Sequence, residues 1–76
     1  MLTPQQIIDT YYLETRCQLL EIAATLDRHD AAAARAGTPA PHPEKLEILR
    51  QALALLADST PTTDRAEKLL IHFAKA

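Results

Sequence analysis

The chain has 76 residues, a formal net charge of -2, 47% hydrophobic residues and 24% charged residues. That composition describes one small globular domain and excludes a disordered tail. Fourteen Ala, 12 Leu and 5 Ile stand beside no Val, no Trp and a single Gly, so the expectation is an all-α fold without a sheet.

The first predicted helix has a clear start. Thr3 can N-cap, Pro4 suits the first helical position because its missing N–H is harmless there, and Gln6 completes a Thr-x-x-Gln capping box. No Pro or Gly follows until Gly37, with Pro39 behind it, which reads as a left-handed cap and a stop. Helix 1 is therefore expected over about 4–36, with its end falling between Asp30 and Ala36 according to whether Ala31–Ala34 frays.

Residues 37–43 carry three prolines at alternate positions, Pro39, Pro41 and Pro43. They read as a stiff, extended connector inside one domain of residues 1–76. Helix 2 is expected over about 44–57, opening at Pro43 or Glu44. Asp58-Ser59-Thr60-Pro61 reads as a turn. Helix 3 is expected over about 61–75. It opens at Pro61 with Thr60 as cap, or at Asp64 with Glu67 completing an Asp-x-x-Glu cap.

On helix 1, Ile8, Tyr12, Thr15, Leu19, Ile22 and Leu26 alternate steps of four and three, an a/d-type seam widened by Tyr11 and Ala23. Leu13, Cys17, Leu20 and Ala24 form a second apolar stripe well round the helix. Asp9, Arg16 and Asp27 lie between the two stripes on one side. Helix 2 repeats the pattern, with Leu46, Leu49, Leu53 and Leu56 in one stripe and Ile48 and Leu55 in another. On helix 3, Ala66, Leu69, Leu70 and Phe73 share one face, and Ile71 is left on the other side.

Two apolar stripes call for cover on two sides. A helix over 4–36 is about 50 Å long, whereas a compact chain of this size is only about 30 Å across. Helices 2 and 3 laid along helix 1 cover one stripe, and a second copy covers the other. The expectation is a three-helix protomer in a helical-bundle homodimer, with Leu13, Cys17, Leu20, Ala24, Ile48 and Leu55 at the interface.

Few residues point to chemistry. The eight Lys and Arg are scattered, so nucleic acid is not an expected partner. One Gly excludes a Gly-rich phosphate loop, and no Ser or Cys stands in a nucleophile motif with His29, His42 or His72. Cys17, mid-helix, reads as a small buried hydrophobe with no activating neighbour. Tyr12 reads as a core residue with its hydroxyl at the rim. Each Glu lacks the His three residues on that di-iron bundles use. Asp27, His29 and Asp30 read as a solvated patch. Asp64–Lys68 and Glu47–Arg50 read as surface ion pairs.

The sequence thus predicts a non-enzymatic interaction module without cofactor or metal, self-associating through helix 1 and binding a protein partner. The alternative is a metal- or small-ligand-binding bundle in which Glu14, Glu21 and Asp27 meet their copies across the dimer. The opening residues lack the basic and apolar regions of a secretory signal. The longest apolar run, Ala52 to Ala57, falls far short of the ~20 residues that span a bilayer. With a free thiol, these features predict a cytoplasmic protein that does not enter membranes.

Overall fold

The structure, a computed structural model, describes residues 1–38 and 41–76. Pro39 and Ala40, part of the expected connector, lie outside the described residues. Three helices follow in order: α1 over Pro4–Ala36, α2 over Glu44–Ala57 and α3 over Arg65–Lys75. No strand occurs among the described residues. The chain divides into two units, Met1–Pro39 and Ala40–Ala76.

The first unit is α1 with its caps. The Thr3 hydroxyl accepts from the Gln6 backbone N–H at 3.2 Å, and the Gln6 side chain accepts from the Thr3 N–H at 2.8 Å. Two N–H groups that a helix start leaves unpaired are thereby satisfied. At the other end Gly37 takes φ 71, and its N–H donates to the Ala33 carbonyl at 3.1 Å. The alanines carry the helix through to Ala36 because Ala is the best helix former. Only a residue that tolerates the left-handed region ends it. Arg35 stands at the negative pole of the last turn.

In the second unit α2 and α3 pack on each other. Pro43 is the N-cap of α2 with φ -81 and ψ 1, one position earlier than a first-turn proline. Glu44 and Glu47 lie in the first turn, where the helix dipole favours negative charge. Glu47 takes its hydrogen bond from Gln51 at 3.4 Å, and the expected ion pair with Arg50 is not formed among the described residues.

Helix α3 starts at Arg65, four residues beyond Pro61. Asp64 is the N-cap position, as the second of the two expected starts has it, yet its carboxylate does not cap the helix. It takes the Thr62 hydroxyl and lies 3.4 Å from Lys68 Nζ instead. The guanidinium of Arg65 donates to the carbonyls of Thr60 at 3.0 Å and Thr62 at 3.3 Å. These bonds use the carbonyls of Thr60 and Thr62 in a turn and hold that stretch out of the helix.

Ala52 is buried with 7% exposure, and Leu46, Ile48, Leu53 and Leu69 are half-buried. His72 joins this set, its Nε2 donating to the Ile48 carbonyl at 2.9 Å. The expected single face of α3 is therefore divided. Leu69 is half-buried, while Leu70 at 71% and Phe73 are exposed.

A candidate self-association surface

Helix α1 contains no buried residue. At 100° per residue its two apolar stripes point about 150° apart. The seam residues Ile8, Tyr12 and Leu19 are 61%, 62% and 58% exposed, and Leu13 and Leu20 of the other stripe are 64% and 59% exposed. Exposure therefore does not separate the two stripes. Tyr12, expected in a core, is open to solvent, and so is Cys17, expected as a small buried hydrophobe. The first unit is α1 alone, and taken by itself it has no interior to receive either side chain.

The seam is not smooth. A shallow hollow is lined by Tyr12, Thr15, Arg16, Leu19, Leu20 and Ala23, with the short Thr15 side chain at one edge. Beside it Asp9 accepts from Gln5 Nε2 at 2.9 Å. Arg16 makes no ion pair among the described residues. Asp9 and Arg16 are seven residues apart, about 10 Å along the axis, too far to meet within one helix.

The other expected interface residues are placed differently. Ala24 is half-buried on α1. Ile48, on α2, is half-buried, and its carbonyl is held by His72. Leu55 borders a hollow of about 130 Å³ that includes Leu56, Asp58, Arg65 and Lys68. The large exposed apolar side chains of the second unit that periodicity assigned to covered faces are Leu49, Leu55 and Leu56 on α2 and Leu70 and Phe73 on α3. Periodicity identifies each stripe; it carries no information about which of two stripes meets the neighbouring helix.

The hollow beside Leu55 is lined by charge, but the charges satisfy one another. Asp58 accepts from the Thr60 N–H at 2.9 Å. That backbone bond, with the Thr60 hydroxyl, Arg65 and Lys68, holds its carboxyl below the usual carboxylate range. The Thr62 hydroxyl, then Lys68, lowers Asp64 in the same way. With Arg65 donating to two carbonyls, these groups are the internal bonds of a tight turn.

Glu14, Glu21 and Asp27 all lie exposed along α1. Among the described residues no three His, Cys, Asp or Glu side chains gather closely enough to hold a metal ion. His29 Nδ1 and the Asp30 carboxylate are 2.9 Å apart, an exposed pair of neighbours in sequence. Among the described residues no helix is long and apolar enough to cross a membrane. No family model, curated protein or solved structure matches the chain.

Proposed function

We propose that this chain is a small non-enzymatic interaction module that self-associates through α1 and binds a protein partner. The observation that supports this reading is the exposure of large apolar side chains along α1 on two nearly opposite faces. Eight of them, from Ile7 to Ile22, are exposed. At such exposure each offers roughly 100 Å² of apolar surface, so the seam face, with Ile8, Tyr12, Leu19 and Ile22, offers about 400 Å². Interfaces are only about 57% apolar, so a face with its polar flanks amounts to about 700 Å². That is close to the ~800 Å² each partner gives to a standard interface.

The second supporting point is size. A 33-residue helix with no buried residue gains little from its own packing, and most helix stability in proteins comes from burying an apolar face. A second copy supplies that burial by the commonest oligomer symmetry. One face of α1 then meets its copy, and the opposite face remains for a protein partner. Light scattering on a size-exclusion column tests the first step. The expected mass is twice 8.4 kDa. An 8.4 kDa species at micromolar concentration overturns the reading.

A further inference from the structure

We infer that two copies of α1 pair antiparallel along the Ile8–Leu19 part of the seam, about a twofold axis between Tyr12 and Thr15, with Tyr12 of each copy seated in the hollow beside Thr15 of the other. The inference rests on the self-association proposed above and specifies its face, direction and register. Three separate features converge on it.

The first is shape. The hollow is lined by Tyr12, Thr15, Arg16 and Leu19 together with Leu20 and Ala23. Four residues spaced like the first four, at i, i+3, i+4 and i+7, form the hole that a coiled-coil knob fills. An axis between Tyr12 and Thr15 sets the long Tyr12 of one copy against the short Thr15 of the other, twice. It also sets Ile8 against Leu19, twice.

The second is charge. Asp9 and Arg16 flank this seam on the same side, at equivalent heptad positions. In an antiparallel pair such positions face each other across the axis. This register brings Asp9 of each copy to Arg16 of the other, two reciprocal ion pairs that neither helix can make alone. Shifting the axis to Cys17 sets Arg16 against its own copy. The same ion pairs formed along the Leu13 stripe set Leu13 opposite Thr10 and Cys17 opposite Gln6, which buries little apolar surface.

The third is the distribution of exposed apolar mass. Every large exposed apolar side chain within α1 lies between Ile7 and Ile22, and that interval is centred within a residue or so of the inferred axis. The alanine-rich end of the helix then projects beyond the paired part.

A charge swap tests the register. The masses and dissociation constants of the wild-type chain, Asp9→Arg, Arg16→Asp and the double variant are measured by light scattering and sedimentation. Each single substitution makes two like-charged contacts, and the dissociation constant is expected to rise about tenfold or more. The double variant, with both charges exchanged, is expected to restore the wild-type value. A wild-type dimer whose single variants do not weaken, or whose double variant is not restored, overturns the register and leaves self-association standing. A monomeric wild type overturns both. The three variants carry substitutions only at exposed helix positions, and circular dichroism checks that each remains helical.

Discussion

The imidazole Nε2 of His72 donates to the backbone carbonyl of Ile48 across 2.9 Å, joining α3 to α2 over 24 residues of sequence. A carbonyl only accepts, so Nε2 carries the proton wherever this bond stands. The Ile48 carbonyl also belongs to the α2 ladder, and its second lone pair takes the histidine. His72→Phe keeps a ring of similar size and removes only the donor. It is expected to cost about 1 kcal/mol, and His72→Ala about 2 kcal/mol, because the ring's packing goes as well. Urea unfolding followed by circular dichroism checks both. An unchanged stability in His72→Phe would mean that the hydrogen bond contributes nothing beyond the ring.

Ala52 is the side chain on which α2 and α3 close. A methyl group there lets two helices approach; a larger group holds them apart. Ala52→Leu is expected to destabilise the second unit by about 1–3 kcal/mol through overpacking. Ala54→Leu, two positions along and exposed, is expected to be neutral within about 0.5 kcal/mol. The same unfolding experiment measures the pair, and the contrast isolates the packing effect from helix propensity.

The turn between α2 and α3 makes stability depend on acid. Asp58 and Asp64 both have carboxyl groups lowered below 3.8 in the folded chain. A folded-state value below the unfolded one adds stability that is fully present above 3.8 and is lost as pH falls through the folded value. Stability is therefore expected to decline below about pH 4. Asp58→Asn and Asp64→Asn each flatten that decline. Urea midpoints collected from neutral pH into the acid range check the sign. An unchanged acid limb in the double Asn variant would place the titrating groups elsewhere.

The start of α1 was legible because it rests on a local motif, Thr3, Pro4 and Gln6 within four residues. Its end was legible only as a range from Asp30 to Ala36, because Gly37 marks the latest stop while the alanines before it could fray. The start of α3 was ambiguous because Thr60-Pro61 and Asp64 are both sound opening signals. Arg65 decides between them through bonds to Thr60 and Thr62 that no helix-start motif encodes. Leu70, expected on the covered face of α3, is exposed for a similar reason. Which way α3 turns toward α2 depends on a bond from His72 to a carbonyl 24 residues away. The apolar stripes of α1 were legible as stripes. The hollow beside Thr15 was not, because it depends on side-chain shape and not on hydrophobic period.

Gly37 gives the most local test of the fold. Its φ of 71 lies where L-residues are strained, and a Cβ built there meets nothing within 4 Å. Any cost of substitution is therefore conformational rather than steric crowding by neighbours. Gly37→Ala is expected to cost about 1 kcal/mol. Gly37→Asn is expected to cost less, because Asn tolerates the left-handed region better. The loss falls on the last turn of α1, where Gly37 N–H holds the Ala33 carbonyl. Amide hydrogen exchange should quicken over the last turns of α1, from about Ala33 onward, while the capped start near Gln6 and Ile7 is unchanged. Should exchange quicken equally at both ends, Gly37 would be acting on the whole helix. Its role as a local stop would then fail.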